Sequence, residues 1–383
     1  MALDKNKVLK AHKKVGGKIR TAPSVALKSK DDWSTFYTPG VGLISEHLAQ
    51  YPRDARVMSF KKNSVAVVSD GSAVLGLGNL GPYGALPVME GKALIFKSVA
   101  DIDAVPIVLD THDPDEIVRT VIAIAPAFGA INLEDIAAPQ CFDIERRLIK
   151  ALDIPVMHDD QHGTAVVVLA GLINAAKVTK RDLNTSRVVV NGVGAAGTAV
   201  MRLIKKFAPH VRIVALDSQG VIGVGRGDLN ADKRALISDR IVFAGGDGDL
   251  SSAIQGADIF IGLSKAGVLS GELIKKMNKH PVIFALANPV PEIMPDEAIR
   301  AGAAVVATGR GDFDNQVNNA LAFPGIFRGL LDSGAKKVTD KMQLAAARAL
   351  AELIKKPTAK NIMPSVMDSR VVKAVARAVA RAV

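Results

Sequence analysis

The six residues Gly192-Val193-Gly194-Ala195-Ala196-Gly197 constrain this chain most, because of what flanks them. They follow an apolar run, Arg187-Val188-Val189-Val190, and open a segment with helical spacing, Ala195–Phe207. A bare GxGxxG carries little information, but one set between a strand and a helix reads as the phosphate-binding turn of a doubly wound α/β domain. Gly192 then permits the tight turn, and Gly194 lets the backbone approach a pyrophosphate. Ala195 and Ala196 begin the helix whose N–H groups face the anion, and Gly197 allows close helix packing. The next strand ends at Asp217, about 20 residues on, where an acid binds adenosine ribose hydroxyls. This favours NAD over NADP, although Arg226 or Lys233 folding back would meet a 2′-phosphate.

The alternation extends well beyond this turn. Strand-like runs fall at Ser64–Ser69, 105–109 and 156–157, with a helix over 115–125. After an apolar helix at 164–177, further strands are predicted at Arg187–Asn191, 211–217, 241–244, 258–262, 281–286 and 303–307. Strands separated by helices predict parallel, doubly wound sheets. A length of 383 residues exceeds one ordinary core. The expectation is therefore α/β with two domains, an N-terminal α/β unit over 1–157 and a Rossmann-type unit over 158–325. An Ala-rich helical tail over 326–383 should pack on the body, with Val371, Val372, Val375, Val379 and Val383 near helical spacing.

Composition narrows the function classes. Hydrophobic residues make up 49% of the chain but aromatics only 4%, so Val, Ile, Leu, Ala and Gly carry the core, as in packed α/β layers. No apolar run approaches the roughly 20 residues needed to span a bilayer, so no membrane role is expected. The single cysteine, Cys141, precludes an intramolecular disulfide and suits a reducing cytoplasm; core packing is its expected role. The net charge of +11 is concentrated in Lys5, Lys7, Lys10, Lys13 and Lys14 at one end and Arg370, Lys373, Arg377 and Arg381 at the other. Neither run is interleaved with stacking aromatics, so the reading is solvated helix faces and a field for small anions, without a nucleic-acid partner.

Two acidic pairs carry candidate chemistry. Glu134-Asp135 closes the strand-like AINLED, and His158-Asp159-Asp160-Gln161-His162-Gly163-Thr164 precedes the apolar helix. Carboxylates at strand ends near a helix start suit a hard cation, Mg²⁺ or Mn²⁺. Such an ion is a Lewis acid toward the C2 oxygen of a 2-hydroxy or 2-keto acid. A zinc site on His158 and His162 is a rival, but it needs both imidazoles on one helical face, and the helix is read to begin at Gly163-Thr164. Helix capping by Asp159 or Asp160 remains a further alternative. Tyr37 lies in turn-rich YTPGV, and Lys92 in MEGKA, after the glycine-rich stretch 75–81. Each alone reads as a surface residue; in a closed site the two exchange protons.

Taken together, these segments resemble the malic enzymes of the short bacterial and archaeal type. The matching stretches are YTPGV, SDGSAVLGLGNLGPYGALPVMEGKA, INLED, HDDQHGTA, NGVGAAG, ALANPVPEI and GRGDFDNQVNNALAFPGIFRG, in that order from about Lys18 to Arg328. The resemblance implies NAD(P)-linked, Mg²⁺- or Mn²⁺-dependent oxidative decarboxylation of L-malate to pyruvate by a cytoplasmic homodimer. It implies Tyr37 as general acid, Lys92 as general base and Asp159 as the acid paired with that lysine. It makes Glu134, Asp135 and Asp160 the metal ligands, and puts Asn288 and Asn319 on malate beside the nicotinamide. A base must be neutral, so burial is expected to lower the pKa of Lys92, with Asp159 opposing it. Longer members carry an arginine for the substrate carboxylate where this chain has Ala73. That contact then passes to Asn288, Asn319, Arg310 or the main chain of the loop from Gly76 through Asn79. Asp314 stands where a proline is usual. Malate-to-lactate conversion or oxaloacetate decarboxylation on the same scaffold is the alternative activity. A nucleotide-sensing or nucleic-acid-binding protein is the non-enzyme one.

Overall fold

One parallel sheet and one mostly parallel sheet organise the chain, of which the computed structural model describes residues 4–243 and 245–383. Among the helices that precede the first strand, α1 (Lys5–Val15), α2 (Lys30–Phe36) and α3 (Gly40–Gln50) bury none of their residues. The first sheet comprises β1 (Ser64–Ser69), β2 (Asp103–Val108), β3 (Ala130–Leu133) and β4 (Val156–His158), ordered β2-β1-β3-β4 and parallel throughout. Parallel neighbours need crossovers, supplied by α4 (Gly81–Ala100), α5 (Pro114–Ile124) and α6 (Gln140–Ala151). Helices cover both faces, so β1 is buried at all six positions, which explains its unbroken apolar run.

The long helix α7 (Asp159–Thr179) leads to the second sheet. There β5 (Arg187–Asn191), β6 (Arg212–Asp217), β7 (Gly220–Val221), β8 (Ile259–Gly262), β9 (Val282–Ala285) and β10 (Val305–Thr308) take the order β10-β9-β8-β5-β6-β7. All pairs are parallel except β7 on β6. From β5 the chain turns through α8 (Ala195–Phe207) to β6 on one side, and reaches β8 on the other. The crevice at the carboxyl end of β5 is therefore the topological switch point, where such sheets bind ligands. Helix α7 is long and apolar enough to cross a membrane by length and composition, with a mean hydropathy of 1.3, but 67% of that window is buried, as in a core helix. The buried amide of Asn174 on this helix donates to the carbonyls of Ala351 and Ile362 at 2.9 and 3.0 Å.

The tail forms α9 (Phe323–Ser333), α10 (Asp340–Glu352) and α11 (Arg370–Ala380) and packs on the body as expected. Helix α11 buries Val371, Val375 and Val379, while Val372 is half-buried and Val383 exposed. The approach to α9 is close enough to require glycine: a Cβ on Gly329 would lie 2.6 Å from the Ala376 carbonyl oxygen.

Two local expectations fail. The run at 241–244 forms no strand over 241–243, and Ala244 lies outside the described residues. Ile241 and Val242 are buried from a loop, and Phe243 donates its N–H to Ile213 while Arg212 stacks 3.7 Å from its ring. Hydrophobicity there marks burial rather than sheet pairing. Helix α7 also begins at Asp159, several residues before Gly163-Thr164.

Candidate active site

Because the first sheet is parallel, its carboxyl strand ends share one edge, where both acidic pairs emerge. The Glu134 N–H donates to Val68 at 2.9 Å, carrying the β3 ladder one residue past the strand. Asp135 then turns with φ 54°, a left-handed conformation uncommon outside glycine. Its carbonyl accepts the Ala73 N–H at 2.9 Å, and its own N–H donates to Asp160 Oδ2 at 2.8 Å, tying the pairs together. One oxygen from each of Glu134, Asp135 and Asp160 falls within 4.8 Å of the others.

This cluster is costly without a counter-charge. Burial, then the Asp160 charge, pushes Glu134 well above the usual carboxylate range and Asp135 up to about 7. Asp135 Oδ2 is buried without a hydrogen-bond partner. Three converging carboxylates, one with an orphaned buried oxygen, fit a hard divalent cation.

Lys92 reaches the cluster from α4. Its Nζ lies 2.8 Å from Glu134 Oε1, hydrogen-bonds Asp159, and sits 4.4 Å from the Phe323 ring centroid. The lowered pKa expected for this lysine is not found. Burial does pull it down, but the Asp159 and Glu134 charges outweigh burial, so the ammonium is held above its ordinary value. Asp159 is raised to about 6 by burial, against the pull of Lys92.

The other oxygen of Asp159 is buried and unpartnered. One turn along the helix, a Cβ on Gly163 would fall 1.8 Å from that oxygen and 3.4 Å from Asn319 Cβ. Asn319 therefore borders the Lys92–Asp159 pair. Asn288 meets the glycine loop from the second sheet: a Cβ on Gly76 would lie 3.2 Å from its carbonyl oxygen. Asn79 braces the same loop, accepting the Gly81 N–H at 3.0 Å and meeting His112 at 3.1 Å. Arg310 is held by Asp312 at 2.6 Å and the Pro289 carbonyl at 3.2 Å. Tyr37, unlike Lys92 and Asp159, is not buried. It is 60% exposed at the end of α2, its ring edge-on to Trp33.

The glycine turn has the predicted form. Gly192 has φ 120°, and a Cβ there would meet the Leu263 carbonyl oxygen at 2.4 Å. A Cβ on Gly197 would meet the Gly192 carbonyl oxygen at 1.9 Å, whereas around Gly194 the space is open. Ala195 and Ala196 begin α8. At the end of β6, Asp217 pairs with Lys233 at 2.6 Å and Arg226 at 3.2 Å, and these bonds hold its carboxyl below the usual range despite burial.

The HxxxH alternative finds no support. His158 is buried before the helix with neither ring nitrogen bonded, and His162 turns to Glu145 at 3.0 Å. Burial pushes the Cys141 thiol up, as for an inert core cysteine. Glu145 itself is a residue that sequence reasoning misses. It lies on the buried stripe of α6 with Cys141, Ile144 and Leu148, and a lone carboxylate on such a stripe is the available signal. Bonds from His162 and the His158 N–H keep it below its ordinary pKa, outweighing burial.

Comparison with known proteins adds independent findings. Residues 16–149 match the family profile "Malic enzyme, N-terminal domain", and residues 161–383 match "Malic enzyme, NAD binding domain". The NAD-dependent malic enzyme of Geobacillus stearothermophilus is 50% identical, over 94% of this chain and 75% of that protein. The bifunctional malic/malolactic enzyme of Bacillus subtilis is 49% identical over 96% and 90%. The crystal structure of the NAD-dependent malic enzyme from Thermotoga maritima superposes with a TM-score of 0.93 at 47% identity, covering 99% of each chain.

Proposed function

This chain belongs to the malic enzyme family, and on that premise we propose that it oxidatively decarboxylates L-malate to pyruvate and CO₂, reducing NAD⁺ in preference to NADP⁺. The observation that carries the reading is the buried Lys92, in contact with Glu134 and Asp159 beside the three-carboxylate cluster.

Glu134, Asp135 and Asp160 would hold Mg²⁺ or Mn²⁺, and the turn Gly192–Gly197 with Asp217 would hold the dinucleotide. When bound, the cation supplies Lewis acidity at the C2 oxygen and the dinucleotide accepts hydride. Lys92 takes the C2 hydroxyl proton. A cation held by Glu134 would offset one of the two carboxylates that keep Lys92 protonated, leaving burial to favour the neutral amine. Asp159 orients the lysine, while Asn288, Asn319 and the loop through Gly76 and Asn79 orient malate in place of an arginine. By the family resemblance, Tyr37, exposed on the N-terminal surface, would deliver the proton to C3 of the enol.

The unpartnered N-terminal surface, which exposes Trp33, Phe36, Tyr37, Leu43 and Val57, suits burial in a homodimer. We assign residues 1–157 to the malate and metal unit, 158–325 to the dinucleotide unit and 326–383 to the packing tail, in a cytoplasmic enzyme. The bifunctional relative favours malate-to-lactate conversion as a second reading. Malate, NAD⁺ and Mn²⁺ supplied together decide between them: accumulating NADH with pyruvate supports the first, and lactate without NADH the second.

A further inference from the structure

One buried carboxylate outside the cluster binds the segment that carries two of the site's acids. Glu145 is 7% exposed. It projects from α6 onto the start of α7 and accepts three donors there: the His158 N–H at 2.7 Å, Gln161 Nε2 at 3.3 Å and His162 Nε2 at 3.0 Å. These residues bracket Asp159 and Asp160 in sequence. The helix start has no side-chain cap of its own, His158 being the N-cap. A bond from a neighbouring helix thus fixes where the first turn begins. Asp159 and Asp160 are the first two residues of that turn, so its placement sets where their carboxylates point.

We propose that Glu145 is a positioning residue for the catalytic site, holding the first turn of α7 so that Asp160 faces the cation and Asp159 faces Lys92. Glu145 itself touches neither substrate nor cation. Its effect runs through a backbone N–H and two side chains, in the way outer-shell groups orient metal ligands. The inference rests on the reading of Glu134, Asp135 and Asp160 as metal ligands.

The test is Mn²⁺ binding, followed by the electron paramagnetic resonance signal of the free ion. It compares the intact chain, Glu145→Ala, Glu145→Gln and Asp160→Asn, with NADH binding by fluorescence and thermal melting alongside. Glu145→Ala should weaken Mn²⁺ binding by about 10- to 100-fold, with NADH affinity unchanged because the glycine turn lies on the other sheet. Glu145→Gln keeps the acceptor for the His158 N–H and should lose less. If Glu145→Ala does not fold, Glu145→Gln decides by the same readouts, a selective loss of Mn²⁺ affinity being expected. Unchanged Mn²⁺ affinity in a folded variant, or Mn²⁺ and NADH affinities falling together, overturns the positioning role. Absence of Mn²⁺ binding to the intact chain, or full binding by Asp160→Asn, instead removes the metal reading on which it stands.

Discussion

Gly163→Ala distinguishes a glycine that makes room for the buried Asp159 carboxylate from a glycine that merely weakens a helix. Position 163 is inside α7, where alanine is favoured over glycine by about 1 kcal/mol. On propensity alone the variant should be more stable and fully active. The structure gives the opposite answer, because the new methyl would lie 1.8 Å from an Asp159 carboxylate oxygen. A carbon–oxygen contact needs roughly 3.3 Å, so that oxygen must retreat by about 1.5 Å. Asp159 is fully buried and its other oxygen binds Lys92, so it cannot retreat without breaking that bond. Misplacement by about 1 Å commonly costs about 100-fold in rate, equivalent to about 2.7 kcal/mol of activation free energy. Crowding costs about 1–3 kcal/mol, which cancels or exceeds the propensity gain. Initial rates with L-malate at saturating NAD⁺ and Mn²⁺, with melting curves, provide the assay. A kcat/KM reduced about 100-fold in a folded enzyme is expected. A stabilised variant with undiminished turnover would refute the claim that Gly163 makes room for Asp159.

Other sites give further outcomes. Asp160→Asn should lower Mn²⁺-dependent turnover by about 100-fold or more without lowering the melting temperature, since it removes one of three mutually repelling carboxylates; an unchanged rate would argue against a ligand role. Asp217→Asn should raise kcat/KM with NADP⁺ relative to NAD⁺, because Arg226 and Lys233 are released toward a 2′-phosphate; an unchanged ratio refutes that role. The carboxyl of Asp217 is depressed in the folded state, so its stabilising contribution is present above the ordinary value near pH 4 and is lost as pH falls through the lower folded value. Asp217→Asn should therefore flatten the acid limb of stability against pH, measured by denaturant melts. Gly329→Ala should destabilise the fold by about 1–3 kcal/mol through its contact with α11, with kinetics of the folded enzyme unaffected.

What the sequence discloses depends on how local each signal is. The glycine turn is a strand–turn–helix unit contained in some 20 residues, so Gly192, Gly194 and Gly197 are assignable with their reasons. The acidic cluster is half legible: Glu134-Asp135 and Asp159-Asp160 are each adjacent in sequence, but their convergence depends on β3 and β4 being parallel neighbours. Lys92 carries no local mark, and its contact with Asp159, 67 residues away, is anticipated through the family resemblance alone. Its elevated pKa is not legible, because the second carboxylate on Nζ, Glu134, comes from another element. Gly163 hides the true start of α7, because a glycine one turn into a helix reads as a helix boundary when its neighbours are unknown. At 241–243, two buried aliphatic residues imitate a strand, since burial leaves the same mark in a loop. The three-donor role of Glu145 joins residues 13 to 17 positions apart across two helices, a relation that no sequence period reports.

The central claim is that the Glu134, Asp135 and Asp160 cluster and Lys92 together turn malate over to pyruvate with a nicotinamide as oxidant. Its most direct test is the stoichiometry and metal dependence of one reaction: L-malate, NAD⁺ and Mn²⁺, with NADH, pyruvate and lactate quantified before and after chelation. Equal amounts of NADH and pyruvate are expected, with loss of both on chelation and recovery when Mn²⁺ or Mg²⁺ is restored. Full turnover in chelator, or malate consumption without pyruvate, would contradict it.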